Sequence, residues 1–445
     1  MGAPPRMSME DRTTRVCVVG AGSSGLAAAK NLLQHGFEVD VLERGSDLGG
    51  LWNFHSPFGR VAKSTHMISS KKFTQFPDYP MPGSFPDYPQ HSQVLAYLLD
   101  YARHFRVDER IEYGAAVQRI EPFDEGRCRD VRLESGATRR YGAVVIANGH
   151  NWSPRWPRFG GRFEGEMLHL ADYKGPGVLA GKRVLVVGGG NSGCDLAVEA
   201  VHFAERTILS LRRGYYFVPK YIFGQPSDRF ADWFAAIGIP LKLRRLLFSG
   251  VLRLIVGSPR RFGLPQPDHR LFETHPIVNS LLPYYVRHGN VQVRPDIRRF
   301  ERRAVVFEDG SRDEVDIAIF ATGYELVFPF IDSAHLNWRD GRPQLYKNVF
   351  HPEYDNLFVA GMIQPDSGQF GLVHWQMLAV ARFLALRRSR SPVADRFGRL
   401  KRKVDEDLGH GIRYEASSRH LLEVEHWSYL KGMKKTVRKL PPVLA

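Results

Sequence analysis

Apolar and polar positions alternate between two kinds of run along the first fifty residues. Arg15–Val19 is a short stretch in which Arg15 leads into the apolar run Val16-Cys17-Val18-Val19, the pattern of a buried strand. A glycine turn follows, and then apolar positions at helical spacing from about Ser24 to His35. Glu38–Glu43 returns to strand character. The same order recurs later, with strand Arg183–Val187, a helix from about Ser192 to Phe203, and strand Thr207–Arg212. Two further apolar runs, 143–149 and Val315–Ala321, each end in a turn. Gln93–Phe105 has the periodicity of an amphipathic helix.

These elements predict an α/β fold with two Rossmann-like dinucleotide-binding domains, the second inserted into the first. The expected division is 15–155 with 315–445 for one domain and 156–314 for the other. Residues 1–14 are polar and irregular and are expected to form a disordered tail. The stretch 73–89 contains Phe-Pro-Asp-Tyr-Pro twice, so it is expected to be an ordered loop packed by its rings. Residues 215–290 read as an insertion of loops and helices whose path the pattern does not define.

The two turns carry the chemistry. In the first, Gly20 permits the tight bend, Gly22 lets the backbone approach a pyrophosphate, and Gly25 lets the helix pack on the sheet. Ser24 opens that helix, whose free N–H groups attract phosphate, and Glu43 stands where an acid accepts ribose hydroxyls. In the second, Gly188, Gly190, Asn191, Ser192 and Gly193 repeat the arrangement. From Gly20 to Glu43 is 43 − 20 = 23 positions, and from Gly188 to Arg212 is 212 − 188 = 24. Arg212 or Arg213 therefore falls where the first unit has its acid. A guanidinium there can clasp a ribose 2′-phosphate that a carboxylate would repel, so NADPH is expected over NADH.

Composition narrows the rest. The net charge is 62 − 47 = +15, yet the basic residues are scattered and no run interleaves them with aromatics, which argues against a nucleic-acid partner. Three isolated cysteines, Cys17, Cys128 and Cys194, form no redox pair and suit a reducing cytoplasm. Leu241 to Val256 is apolar but broken by Lys242, Arg244, Arg245 and Arg253, so it reads as a surface helix or lid, with membrane contact the weaker alternative. His269, His275 and His351 lack ligand spacing, and no metal is expected.

Between the units, Phe163, Gly165, His169 and Tyr173 form F-x-G-x-x-x-H-x-x-x-Y. This resembles the fingerprint of the flavin-containing monooxygenases. The chain is similar to that family also at Gly49-Gly50-Leu51-Trp52-Asn53, Phe76-Pro77-Asp78-Tyr79-Pro80, Ala321-Thr322-Gly323-Tyr324 and Asp355–Gly361. The resemblance implies FAD at the Gly20 turn and NADPH at the Gly188 turn. It implies that Gly50, Leu51 and Trp52 lie near the flavin ring, with Gly361 and Gln364 by its pyrimidine side. Phe163, Gly165, His169 and Tyr173 would link the domains. The implied activity is NADPH- and O2-dependent oxygenation of a soft nitrogen or sulfur of a small molecule through a C4a-(hydro)peroxyflavin. The family's flavin-side asparagine is missing from Thr65–Lys71, which leaves His66, Ser69 and Ser70 as candidates for its role. Baeyer–Villiger enzymes end the related fingerprint in tryptophan, and Tyr173-Lys174 does not fit. Ketone or carbon oxygenation, and a reductase or binding protein without oxygen transfer, stand as alternatives. The sequence does not set the oligomeric state, a homodimer being one option.

Overall fold

The computed structural model describes residues 9–415 and 420–443. Two parallel-based sheets organise the chain. In the first, β1 (Met9–Val19) is flanked by β2 (Glu38–Leu42) and β6 (Thr138–Ile146), with β3 (Ile111–Glu112) beyond β2. The hairpin strands β4 (Val117–Phe123) and β5 (Cys128–Leu133) extend the β6 edge antiparallel. Strand Leu357–Val359, more than two hundred residues later, pairs parallel with the end of β6 and closes this sheet. Helix α1 (Ser23–Gln34) lies between the sheet and the long helix Phe370–Arg388, and its residues Gly25–Leu32 are buried. The run Leu26-Ala27-Ala28-Ala29 explains that fit, because small side chains let both neighbours approach.

The disordered tail expected over 1–14 does not hold for residues 9–14, since β1 already begins at Met9 and its first residues pair with Thr138–Tyr141. The charges that looked like a tail are tied down instead. Arg12 and Arg15 both bond the Asp40 carboxylate, and the Tyr141 hydroxyl donates to it as well. Residues 1–8 lie outside the described residues.

The chain leaves the first sheet through β7 (Ser153–Pro154), then β8 (Gly160–Phe163) and β9 (Glu166–His169). The second sheet runs Val291–Arg294, β11 (Arg206–Ser210), β10 (Arg183–Val187), Ile317–Phe320 and β9, all parallel. Strand Ile317–Phe320 therefore belongs to the second unit, and the return to the first unit expected at about 315 falls later. That return is made by Tyr324–Glu325, which pairs antiparallel with β7. The outgoing and returning chains thus form one two-stranded ribbon between the sheets.

Two loops gain definition. In 73–89, following the short helix α2 (Lys71–Thr74), Phe76 is fully buried among Tyr97, Tyr101 and Phe370. Tyr97 and Tyr101 come from α3 (His91–His104), and the Phe76 N–H donates to the Tyr97 hydroxyl at 2.8 Å. Within 215–290, α4 (Asn191–Ala200) having ended, the chain forms α5 (Ser227–Ala236) and α6 (Leu241–Ile255). Phe248 and Leu252 of α6 pack on Val218, Ile222 and Leu271, while Leu246 and Leu254 face solvent. No helix among the described residues is long and apolar enough to cross a membrane.

Candidate functional site

The first turn has the geometry its spacing predicts. Gly20 has φ +103°, and a Cβ there would lie 2.8 Å from the Ala147 carbonyl oxygen. At Gly25 an added Cβ would fall 1.8 Å from the Gly20 oxygen, so strand, turn and helix are held in contact. Gly22 differs, because its Cβ would meet only the Gly50 Cα at 3.7 Å. The helix that starts there has no side-chain cap, which leaves its first N–H groups without a capping side chain. Here is a cradle that a side chain would fill and that a pyrophosphate fits.

The walls of the cradle come from distant segments. The Gly49 N–H donates to the Ala21 carbonyl at 3.0 Å, which lays Gly50, Leu51 and Trp52 beside the turn. Glu43 is buried, with Oε2 accepting from the Ala21 N–H at 2.7 Å and Oε1 from the Gly45 N–H at 2.8 Å. Two backbone donors fix the carboxylate, and its remaining lone pairs can accept ribose hydroxyls. On the other side, Gly361 approaches Ser24 so closely that a Cβ would sit 2.3 Å from Oγ. Gln364 turns its amide to Glu423 at 2.8 Å, so its side chain is engaged away from the turn. His150, which the sequence reading passed over, interacts with the Gly361 backbone, and burial holds its pKa down at about 4.

The second turn repeats the first. Gly188 has φ +111° and its Cβ would lie 2.7 Å from the Ala321 oxygen, while Gly193 would clash with the Gly188 oxygen at 2.1 Å. Gly190 starts α4 without a side-chain cap, and Ser192 is exposed in its first turn. Asn191 is structural, since it donates to the Pro276 carbonyl and accepts from the Val278 N–H. The two arginines separate. Arg213 pairs with Glu415 at 2.9 Å, whereas Arg212 is exposed and makes no ion pair among the described residues. An anion beyond β11 therefore meets Arg212 as the available guanidinium.

The fingerprint segment lies against the ribbon. The His169 ring packs beside Trp156 and Tyr324, and Nδ1 accepts from the Ala171 N–H, while burial lowers its pKa. Burial, helped by the Glu199 carboxylate, drives the Tyr173 phenol far above its ordinary range, and its hydroxyl donates to Glu199 at 2.9 Å. Phe163 packs on Phe300, and Gly165 is required because a Cβ would meet the Asp316 oxygen at 2.6 Å. Immediately after Tyr173, Lys174 bonds the Gly59 carbonyl at 3.1 Å and accepts from the Lys63 N–H, joining the segment to a loop of the first unit. Thr322 bonds the Arg155 carbonyl at 2.6 Å, and Gly323 with φ +80° bends the chain into the ribbon at Tyr324.

A match to the Flavin-binding monooxygenase-like family covers residues 13–444. The chain belongs to that family. Flavin-containing monooxygenase 5 of Oryctolagus cuniculus is 34% identical over 97% of this chain and 84% of its own length. Flavin-containing monooxygenase 3 of Rattus norvegicus is 34% identical over 79% and 70%. Among solved structures, a cyclohexanone monooxygenase mutant from Rhodococcus sp. Phi1 bound to NADP+ has a TM-score of 0.71 at 18% identity, covering 96% of this chain and 98% of that one. The S-allyl-L-cysteine S-oxygenase of Allium sativum has a TM-score of 0.66 at 20% identity, with 98% and 90% covered. The protein is accordingly an FAD- and NADPH-dependent monooxygenase with two dinucleotide-binding domains, acting on a small molecule with O2.

The three candidates for the missing asparagine occupy different places. His66 is exposed, its Nδ1 on the Ser64 carbonyl. The Ser69 hydroxyl pairs with Thr74 at 2.8 Å and borders a cavity roofed by α5 and α6. Ser70 is buried and its N–H donates to Asp228 of α5 at 2.7 Å. Asp228 and Asp366 border the same cavity and escaped the sequence reading, because each is a lone acid in an otherwise ordinary segment.

Proposed function

We propose that this monooxygenase oxygenates a nucleophilic nitrogen or sulfur atom of its substrate. Carrying this reading is the fingerprint segment, which ends in Tyr173-Lys174 and docks Lys174 on the first-unit loop at Gly59. Resemblance to flavin-containing monooxygenases 3 and 5 at 34% identity supports it. Bound at these turns, FAD and NADPH would supply the redox chemistry by which one atom of O2 reaches the substrate and the other leaves as water.

The residues divide this work by position. The free N–H groups at the start of α1 and the open face of Gly22 would hold the flavin dinucleotide's pyrophosphate, with Glu43 accepting from its ribose. The second turn and α4 would hold NADPH, with Arg212 on the 2′-phosphate and Arg213 kept by Glu415. His169 and Tyr173 would orient the domains, because both have neutral, buried, internally bonded side chains. Ser69 would be the hydroxyl nearest the reacting centre, since it borders the cavity and His66 faces solvent. The ribbon of β7 and Tyr324–Glu325 would mark the boundary between the FAD and NADP domains.

Incubation with NADPH, O2 and either a dialkyl sulfide or a cyclic ketone tests the reading. Sulfoxide formation matched to NADPH consumption is expected. Lactone as the main product would favour the Baeyer–Villiger alternative, and hydrogen peroxide alone would favour a reductase.

A further inference from the structure

The cavity beside Ser69 has more acidic than basic side chains on its walls. It offers about 80 Å³ to the centres of water-sized spheres, between α5 and α6 on one side and the loop Pro365–Ser367 with Glu425 and Trp427 on the other. Apolar walls come from Ile68, Val218, Phe234 and Phe248. Three carboxylates, Asp228, Asp366 and Glu425, and two guanidiniums, Arg244 and Arg245, complete them. The two cations each lie beside an acid, although the Arg244 Nε is buried without a hydrogen-bond partner. Arg244 lies 3.6 Å from Glu425, and Arg245 bonds the Leu271 carbonyl and Glu273. Asp228 and Asp366 make no ion pair among the described residues. Asp366 accepts one backbone bond, from the His426 N–H at 2.9 Å. Asp228 accepts from the Ser70 N–H through one oxygen, and its other oxygen, Oδ1, is buried with no partner.

Both acids are part-buried, and ionising a part-buried carboxyl group without a counter-charge is costly, so such groups mark places where a ligand can supply what is missing. We infer that this cavity is a substrate subsite for an ammonium group, so that the preferred substrate carries a fixed or protonated amine apart from the atom that is oxygenated. The inference rests on the heteroatom reading above and names a substrate class for it. Apolar walls around two acids that lack an ion-pair partner suit an alkylammonium, whose methylenes or methyl groups contact Phe234 and Phe248 while its charge meets Asp228 and, once that acid has lost its proton, Asp366.

The titration of these groups agrees. Burial, reinforced by Glu425 and Glu423, pushes Asp366 up to about 8, and burial also raises Asp228. Groups facing Asp366 are Glu423 and Glu425, Tyr414, whose phenol burial holds protonated, His426, held neutral at about 4 by burial, His275 beside Glu423, and Arg244 and Arg245. Without a ligand Asp366 holds its proton at neutral pH; an arriving cation favours the ionised form and expels it.

Two permanent probes separate charge from shape: the quaternary sulfide 2-(methylthio)ethyl-trimethylammonium and its neutral carbon isostere, 3,3-dimethylbutyl methyl sulfide. Calorimetric titration of the oxidised holoenzyme near pH 7 in buffers of different ionisation enthalpy reads affinity and proton release together. The cation is expected to bind at least tenfold more tightly, to release close to one proton, and to gain affinity as pH rises through about 8. Asp366→Asn keeps an acceptor for His426 and should cut the cation-to-isostere preference at least tenfold and abolish proton release. Asp228→Asn should lower the preference less. Equal binding of the two probes, or an unchanged preference in Asp366→Asn with full FAD content, overturns the inference. Preferential binding of the cation with no sulfoxide from either probe upholds the subsite and overturns the heteroatom reading instead.

Discussion

The glycines of one turn meet different surroundings. A Cβ at Gly22 meets only Gly50 Cα at 3.7 Å, so Gly22→Val should fold and lose the yellow FAD, because valine takes the pyrophosphate's place. At Gly25 the added Cβ would lie 1.8 Å from the Gly20 oxygen, so Gly25→Ala should lower the melting temperature as well. Flavin absorbance and thermal melting of the purified variants distinguish the two. Arg212 and Arg213, equivalent as neighbours in sequence, differ because Glu415 occupies Arg213. Arg212→Ala should raise the KM for NADPH roughly tenfold to hundredfold with little change for NADH, the loss of about 1.5–3 kcal/mol for a charged hydrogen bond. Arg213→Ala should do much less. Equal loss with both nucleotides would show that Arg212 does not read the phosphate.

Among the elements, short strands depend on charges at their ends. Arg183 opens β10 and bonds Asp316, which directly precedes Ile317–Phe320, through backbone and side chain. Those bonds from Arg183 hold the Asp316 carboxyl down at about 2, below the ordinary 3.8. A depressed carboxylate adds stability above its unfolded pKa and loses it as pH falls through the folded one. The contribution should therefore be whole above about pH 4 and vanish toward pH 2. Asp316→Asn should lower the melting temperature at pH 6 and leave that of the two proteins converging near pH 2; a constant gap across that window would refute it. The runs were legible as strands because short apolar stretches rich in Val and Ile are bounded by turns or charges. The edges were not, since β1 extends back to Met9 through Arg12 and Arg15 bonded to Asp40, contacts that no local pattern encodes.

For the molecule as a whole, cofactor and fold are linked. FAD that binds only the folded chain stabilises it by about 2.7 kcal/mol at a hundred times its Kd. Apoprotein should melt several degrees lower and regain the difference as FAD is titrated back, and unchanged melting would place the flavin outside the folded core. The α/β class, the two turns, the expected preference for a phosphorylated ribose and the family likeness were all legible in the sequence, because each is built from local motifs that individually span no more than about twenty-five positions. Tertiary structure alone decided that Ile317–Phe320 pairs with β10, that β7 and Tyr324–Glu325 form one ribbon, and that Leu357–Val359 completes the first sheet. It alone brought Asp228 and Asp366, 366 − 228 = 138 positions apart, to one cavity. Local sequence encodes backbone conformation and the side chains beside a turn, whereas pairing between remote strands and the charge left over in a shared cavity exist only once the chain has folded.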